Sequence, residues 1–335
     1  MLRTTMNALR FAQKGAIESV LKLEQVSKPS LSTGEALIRV KAAGVNGSDS
    51  VGIQGWIPIT TVPRIPGRDF SGEVVDVFDE TAKEWVGKEV WGTGGARGFA
   101  FDGSYAEFTK VKVAELSKKP KVLTHPQAAS LGLSLVCAWI AVNRLSEVKP
   151  TDNVLVIGAR GGIGSSVIQL LKEKGVTNIY GTYRTAPSDP PSGLKPIALP
   201  DATAISTALK TSGDFGKIDV MVDCAGYEDP LNDALKAMRD QGRVVVMAVH
   251  RSDGRFNIDL RTFYMKSLVM KGLKSSIMNE TEVKEMLDYL SGKYDNGSIE
   301  PPKKVGTVSM KELNEVHKAL SAVTTRSQDR IVILP

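Results

Sequence analysis

A cluster of glycines near the middle of the chain has the spacing of a phosphate-binding turn. The segment reads Gly158-Ala159-Arg160-Gly161-Gly162-Ile163-Gly164. Glycines at this spacing allow a tight turn, let the backbone approach a pyrophosphate, and let the next helix pack closely on the preceding strand. The free N–H groups at the start of that helix would then meet the phosphates. We expect all of these residues to contact a dinucleotide cofactor, the alternative being a purely structural glycine turn.

The end of the next strand indicates which nicotinamide dinucleotide is bound. NAD sites usually carry an acid there, roughly 20 residues after the glycine turn, to hold the ribose 2′-hydroxyl. In this chain Arg184 stands 20 residues after Gly164, and Thr182 and Tyr183 precede it. A guanidinium suits the 2′-phosphate of NADPH, and Arg160 adds a second positive charge. We predict NADPH, held partly by residues 182–184; an ordinary surface arginine at position 184 is the alternative.

Side chains that could bind a metal are few and scattered. The chain has two cysteines, Cys137 and Cys224, and three histidines, which lie apart from one another and from the cysteines. A structural zinc usually needs four clustered ligands and a catalytic zinc needs three. Local motifs supply neither set. We expect a metal-free protein with two buried free thiols, a single disulfide being the alternative.

The pattern of apolar residues predicts two kinds of architecture. Roughly the first 125 residues read as strands and turns, and residues 127–145 then read as a helical stretch. Further along, strands are predicted at 153–157, 178–183, 219–223 and 243–247, helices at 161–175 and 231–239, and a proline-rich loop at 187–200. This alternation predicts an α/β fold with a doubly wound parallel sheet. The glycine turn follows the first strand of that sheet.

Composition is that of a globular protein. The chain has 335 residues, of which 42% are hydrophobic and 24% charged, and a net charge of +6. The densest basic group, at residues 110–121, has no interleaved aromatic residues, so nucleic-acid binding is not expected. No apolar run reaches the ~18 residues of a membrane span, and the N-terminus lacks the layout of a signal peptide. We expect a cytoplasmic protein.

Several further motifs resemble the medium-chain dehydrogenase/reductase superfamily, and within it the zinc-free quinone oxidoreductase and enoyl reductase branch. The matching segments are residues 44–49 (GVNGSD), 65–72 (IPGRDFSG), 102–108 (DGSYAEF), 154–164 and 329–332. The resemblance implies a GroES-like β-barrel catalytic domain at residues 1–126 and 275–335, with a Rossmann NADPH-binding domain at 127–274. Zinc-dependent relatives carry a cysteine at the position of Val45 and a His-Glu pair at Arg68-Asp69. The resemblance therefore also implies that zinc is absent.

The same resemblance implies that hydride passes from NADPH to a quinone or an α,β-unsaturated carbonyl. Asn46 is the candidate catalytic residue, as a hydrogen-bond donor to the oxygen that becomes negative; a turn-stabilising role is the alternative. The substrate pocket is expected to include Val51, Trp56 and Ile57, although relatives often carry tyrosines at positions 51 and 57. Further cofactor contacts are expected at Cys224, Ala248, Val249 and Arg330.

Other functions remain open at this point. One is a trans-acting enoyl reductase of a polyketide or secondary-metabolite pathway, and another is a non-catalytic NADPH-binding protein of the crystallin-like or RNA-binding kind. A short-chain reductase would match the glycine spacing and the motif Tyr289-x-x-x-Lys293. However, that class usually begins with its nucleotide fold, and Gly292 is expected to break the helix that carries Tyr289.

A segment after the last predicted strand favours self-association. Residues 267–273 form an apolar β-type run. In the resembled family the matching segment pairs with its copy in a second subunit. An open edge strand exposes unpaired backbone groups, and a two-fold partner satisfies them in a closed contact. We expect a homodimer, the alternative being a strand that is shielded within one chain.

Overall fold

The structure is a computed structural model that describes residues 4–249, 254–325 and 330–335. It divides into two compact units: unit 1 is Met1–Val136 with Ser275–Pro335, and unit 2 is Cys137–Lys274. The first division falls after Val136 and not after residue 126, where the sequence placed it. The reason is that a short helix, His125–Ala129, packs on strands of unit 1.

Strands make up the sheets of both units. In chain order they are β1 (Thr5–Arg10), β2 (Lys22–Ser27), β3 (Glu35–Gly44), β4 (Asp69–Val77), β5 (Glu89–Gly92), β6 (Phe108–Lys112), β7 (Ser117–Lys118), β8 (Asn153–Ile157), β9 (Asn178–Tyr183), β10 (Leu194–Ala198), β11 (Ile218–Asp223), β12 (Met238–Val246), β13 (Val269–Gly272), β14 (Gly306–Ser309) and β15 (Ile331–Leu334).

Helices connect and cover these strands. The α-helices are α1 (Ile17–Val20), α2 (Gly47–Gln54), α3 (His125–Ala129), α4 (Gly132–Trp139), α5 (Gly162–Glu173), α6 (Ala204–Thr211), α7 (Glu228–Ala237), α8 (Leu260–Met265), α9 (Glu280–Asp295) and α10 (Leu313–Thr325). Short 3₁₀-helices lie at Glu80–Trp85, Val113–Glu115 and Ser275–Ile277, and a π-helical segment lies at Ile140–Leu145.

Unit 2 is built on a parallel sheet with the strand order β10-β9-β8-β11-β12-β13. Its central strand β8 is a continuous apolar run because helices cover both faces of such a sheet. The predicted doubly wound α/β fold is confirmed. The strands predicted at 153–157 and 178–183 coincide with β8 and β9.

The loop predicted at 187–200 was wrong, because it contains β10. Leu194 and Ile197 are buried in the core of unit 2, and β10 pairs in parallel with β9. The strand includes Pro196, which cannot donate to a ladder. Because β10 is the edge of the sheet, it tolerates this proline.

Two helix predictions also need correction. The helix predicted at 127–145 is divided into α3, α4 and the π-helical segment. By contrast, α9 continues through Gly292, since its buried side chains outweigh the roughly 1 kcal/mol that a helical glycine costs. Tyr289 and Lys293 therefore lie within a helix of unit 1, whereas the glycine turn belongs to unit 2. The resemblance to the short-chain reductase motif is a coincidence of sequence.

Unit 1 is mainly antiparallel, as expected of a GroES-like fold. Its larger sheet has the order β14-β15-β3-β4-β5-β7, with β6 also paired to β3. The C-terminal strand β15 pairs antiparallel with β3 and parallel with β14, so the end of the chain completes the N-terminal sheet. Among the residues described, no helix has both the length and the apolar character needed to cross a membrane.

Candidate functional site

In the glycine turn after β8, the backbone packs closely against the neighbouring helix and strand, as the sequence predicts. Gly158 adopts φ +82°, a conformation that side-chain-bearing residues rarely adopt. A Cβ on Gly164 would lie 2.2 Å from the carbonyl oxygen of Gly158, and one on Gly181 would lie 2.8 Å from Cβ of Ala159. Glycine is therefore required for α5 and β9 to pack against the turn. Gly161 caps α5 without a side chain, which leaves backbone N–H groups at the start of a 12-residue helix.

Thr182, at the end of β9, holds this turn in place. Its hydroxyl accepts a hydrogen bond from the amide of Gly158 at 3.0 Å, and its carbonyl accepts one from the amide of Ala159 at 3.1 Å. Both Thr182 and Ala159 are buried. The structure thus gives Thr182 a definite role in shaping the turn, and its predicted contact with the cofactor remains a prediction.

Positive charge collects at the same edge of the sheet. Arg160 and Arg184 are exposed, and each follows the carboxyl end of one of two adjacent parallel strands, β8 and β9. Tyr183, the last residue of β9, is buried. Burial raises the pKa of Tyr183, although the charge of Arg160 opposes the shift. Two cations beside a glycine turn suit a dinucleotide with an additional phosphate.

The ends of β11 and β12 complete this edge of unit 2. Cys224 follows β11, and Ala248 and Val249 follow β12. A Cβ on Gly226 would lie 2.6 Å from the carbonyl carbon of Ala248, so the two strand ends are in close contact. Burial raises the pKa of the Cys224 thiol well above its usual range, which keeps the thiol neutral.

Sequence reasoning missed Asp223 at the end of β11. This fully buried carboxylate accepts hydrogen bonds from the amides of Ala225 at 2.9 Å and Gly226 at 3.0 Å through Oδ1, while Oδ2 has no hydrogen-bond partner among the described residues. Burial raises the pKa of Asp223 to about 6. An acid that directly follows the apolar run Val220-Met221-Val222 at the end of the strand is the signal that could have identified it.

Asn46 lies in unit 1 at the start of α2. Its side-chain amide donates to Oδ2 of Asp69 at 3.1 Å, and its backbone amide donates to Oδ2 of Asp49 at 2.9 Å. Asp69 also accepts from the amide of Leu133 at 3.0 Å. Asn46 therefore has a structural role at the helix start, and its side chain is also held in one place by a buried carboxylate.

The two acids beside Asn46 were not proposed as functional residues from the sequence. Asp49 and Asp69 are buried, and the hydroxyl of Tyr105 donates to Asp49 at 2.9 Å. Burial raises the pKa of Asp49 to about 7, and the charge of Asp69 acts in the same direction. Burial also raises the pKa of Asp69, which its hydrogen bonds and the charge of Arg68 oppose only in part. Asp49 is therefore protonated in a substantial fraction of molecules near neutral pH.

A cavity of about 530 Å³ lies in unit 1 next to this cluster, within the usual size range of small-molecule sites. One wall is the loop 93–96 after β5, and the other is the segment 276–283 that leads into α9. Phe101 and Met278 supply apolar surface, while Thr93 and Asn279 are polar. The hydroxyl of Thr93 favours the ionised carboxylate of Asp69 but does not reach hydrogen-bonding geometry with it.

The predicted pocket residues lie elsewhere in unit 1. Val51 is half-buried on α2, Trp56 is 62% exposed, and Ile57 is half-buried in the loop that follows. The amide of Trp56 donates to the carbonyl of Val51 at 3.0 Å, but none of the three lines the cavity. A second, larger cavity of about 980 Å³ opens beside β2 and β6, and it is lined by none of the predicted site residues.

The side chain of Arg330 makes hydrogen bonds within unit 1. Its guanidinium donates to the carbonyl oxygen of Ser130 at 2.7 Å and to the hydroxyl of Ser134 at 2.9 Å. These bonds join the C-terminal strand to α3 and α4. A cofactor contact through this side chain remains a prediction.

Potential metal ligands do not converge in the described ranges of the chain. Those ranges contain no group of three or more His, Cys, Asp or Glu side chains arranged to hold a metal ion. His125 contacts Ser71 and Glu89, and His317 contacts the carbonyl of Leu21. His250 lies outside the described residues.

Two family models match the chain. The model of the alcohol dehydrogenase GroES-like domain matches residues 32–121, and the model of zinc-binding dehydrogenases matches residues 162–292. A zinc-type alcohol dehydrogenase-like protein of Schizosaccharomyces pombe is 29% identical over 327 residues, 96% of each chain. The NADPH-dependent alkenal/one oxidoreductase of Arabidopsis thaliana is 31% identical over 72% of this chain and 62% of its own length.

The fold has close counterparts among solved structures. An alcohol dehydrogenase superfamily protein of Novosphingobium aromaticivorans superimposes with a TM-score of 0.83 at 26% identity, covering 98% of this chain and 99% of that one.

Proposed function

The chain belongs to the medium-chain dehydrogenase/reductase superfamily, and from that premise we propose a zinc-independent, NADPH-dependent reductase of quinones or α,β-unsaturated carbonyls. The observation that carries the proposal is the pair of exposed cations, Arg160 and Arg184, at the strand ends next to the glycine turn. An alkenal/one oxidoreductase that is NADPH-dependent by name lies among the relatives, which supports the acceptor class.

The residues around the turn fit NADPH. Glycine at positions 158 and 164 lets the turn and the start of α5 pack tightly, as in a pyrophosphate-binding turn. The start of α5 offers N–H groups and a positive dipole end to the phosphates. Arg184 and Arg160 bind the 2′-phosphate. When bound, NADPH supplies the hydride for the reaction.

Asn46 acts on the acceptor. Its amide group carries two N–H bonds, of which one is donated to Asp69. The second donates to the carbonyl oxygen of the acceptor, which becomes negative as hydride arrives at carbon. A fixed donor stabilises that charge without reorganising during the reaction. The rest of the acceptor extends into the cavity between residues 93–96 and 276–283, which Asn46 itself does not line and whose apolar and polar walls suit a small carbonyl compound.

The residues at positions 68 and 45 support the zinc-independent part of the proposal. Zinc-dependent relatives carry a histidine at position 68 and a cysteine at position 45. Here Arg68 is buried and Val45 is apolar. The family model named for zinc binding matches residues 162–292, so its match does not include positions 45 and 68.

The function is tested by following NADPH oxidation with a panel of free quinones, free enones and enoyl thioesters. We expect turnover with free quinones or free enones. Turnover restricted to enoyl thioesters on a carrier would favour a trans-acting enoyl reductase. Tight NADPH binding without turnover on any acceptor would favour a non-catalytic role and contradict the proposal.

We also propose a homodimer formed through unit 2. The strand β13 is the edge of the parallel sheet, and Val269 on it is half exposed. The helix that precedes it in the chain, α8, exposes the large apolar side chains of Leu260, Tyr264 and Met265. An open ladder next to apolar surface favours pairing with a second copy in a closed two-fold contact.

A further inference from the structure

A buried arginine joins the two walls of the cavity in unit 1. Arg68 is 1% exposed. One end of its guanidinium, Nη1, donates to the hydroxyl of Ser275 at 2.9 Å, and Nη2 donates to the carbonyl oxygen of Gly95 at 3.1 Å. The guanidinium also lies over the ring of Phe99, 5.2 Å from its centroid. One rigid group thus holds two segments that are distant in sequence.

These two segments are the ones that line the cavity. Gly94 and Gly95 belong to the first wall, and Ser275 directly precedes the second wall, which begins at Ser276. A Cβ on Gly94 would lie 3.3 Å from Cγ2 of Val283, so the walls approach each other closely.

The first wall has two glycines at its centre, Gly94 and Gly95. Gly94 and Gly95 both have positive φ, +93° and +57°, and neither has a side chain that could anchor the loop. Glycines also leave the backbone with the greatest conformational freedom. A charged donor that binds the carbonyl of Gly95 therefore restricts the backbone of a loop that has no side-chain anchor at its glycines.

We propose that Arg68 is a positioning residue that sets the width of the acceptor cavity by holding Gly95 and Ser275 in a fixed relation. The identity of the bound molecule rests on the proposed function, whereas the holding of the two walls does not. Because the planar guanidinium reaches both partners at once, a lysine with its single ammonium cannot replace it.

The test compares Arg68→Lys and Ser275→Ala with the parent protein. Ser275→Ala removes one partner and leaves the charge in place. Arg64→Met is the control, since Arg64 bonds to its neighbour Thr61 and to the distant Asp102, but does not line this cavity. The readouts are kcat and KM for 1,4-benzoquinone and 1,4-naphthoquinone, the Kd for NADPH, and hydrogen exchange of the amides at 93–96 and 275–279.

We expect Arg68→Lys to raise the acceptor KM about tenfold or more, with a smaller change in kcat and an unchanged NADPH Kd. Selectivity between the small and the bulky quinone should shift, and exchange should accelerate in both walls. Ser275→Ala should show a smaller effect, with faster exchange at 275–279. Arg64→Met should leave acceptor KM, selectivity and wall exchange as in the parent.

The proposal is overturned if both variants keep the parent's acceptor KM, selectivity and wall exchange. If Arg68→Lys does not fold, Ser275→Ala decides by the same readouts. If the parent reduces no acceptor, the proposed function fails. Hydrogen exchange of the amides at 93–96 and 275–279 then tests by itself whether Arg68 holds the two segments.

Discussion

The side-chain amide of Asn46 donates a hydrogen bond to Oδ2 of Asp69 at 3.1 Å, and this hydrogen bond fixes the orientation of the asparagine side chain. The amide nitrogen of Asn46 therefore faces the carboxyl group of Asp69, and its oxygen faces away. The amide of Leu133 in turn holds the carboxylate. Asp69, 23 positions along the chain, therefore fixes the direction in which the Asn46 amide, a potential oxyanion donor, points.

We expect Asn46→Ala to lower kcat by roughly 100-fold, because a fixed donor to the developing negative charge is lost. Asn143→Ala is the control, since the side-chain amide of Asn143 also donates a hydrogen bond, to the carbonyl of Trp139 in unit 2. Stopped-flow measurement of NADPH oxidation would separate the hydride step from product release. A parent-like rate in Asn46→Ala would show that this side chain only stabilises the start of α2.

Asp49 should make stability depend on pH. Its folded pKa of about 7 lies above the usual value of 3.8, so the folded protein binds an extra proton between those values. The free energy of unfolding therefore falls as pH rises through that window, by up to about 1.4 kcal/mol per pH unit for one proton. Asp49→Asn, which mimics the protonated acid, should remove this slope.

Urea unfolding at pH 5, 6, 7 and 8 measures the effect. Relative to the parent, Asp49→Asn should gain stability from pH 5 to pH 7, and the gain should level off between pH 7 and pH 8. A constant difference across the series would mean that Asp49 does not titrate in this window.

NADPH should bind at least ~10-fold more tightly than NADH, a difference of about 1.4 kcal/mol. Arg184→Ala should remove much of that preference, because the 2′-phosphate loses a cation. Arg239→Ala is the control, as Arg239 pairs with Asp219 at the amino end of β12, away from the carboxyl ends of the strands. Fluorescence titration with both cofactors gives the affinities, and equal affinities in the parent would contradict the choice of NADPH.

Purified protein should contain far less than one zinc ion per chain, since valine and arginine stand where zinc-dependent relatives place ligands. Elemental analysis measures the content, and incubation with a chelator should leave the rate of NADPH oxidation unchanged. Stoichiometric zinc that is lost together with activity would contradict the proposal.

Light scattering at micromolar concentration should give twice the chain mass of 36.1 kDa. Val269→Pro should yield monomers because proline removes a ladder donor from β13, whereas Val269→Thr, which keeps both the donor and the branched side chain, should remain dimeric. Leu260→Glu places a charge on the exposed face of α8 and should weaken the dimer without altering the strand. A monomeric parent protein would exclude this interface.

The sequence by itself determined the elements whose causes are local. The apolar run of β8 and the glycines that follow it specify a strand, a turn and a helix through sterics and hydrophobic pattern within a short window. The structure has the strand at the predicted residues and the helix within two residues of its predicted bounds. The same holds for β9, which ends just before Arg184. The position of this cation, at the strand end beside the glycine turn, therefore follows from local patterns alone.

Only the tertiary structure decided the relationships between distant parts of the chain. Leu194 and Ile197 make a strand of a proline-rich segment because the edge of a sheet was free to accept it. Arg68 meets Ser275 across 207 positions, and no local pattern encodes such a pairing. The raised pKa of Asp49 likewise depends on burial and on a neighbouring acid. These features arise from packing, which the sequence specifies only through the whole fold at once.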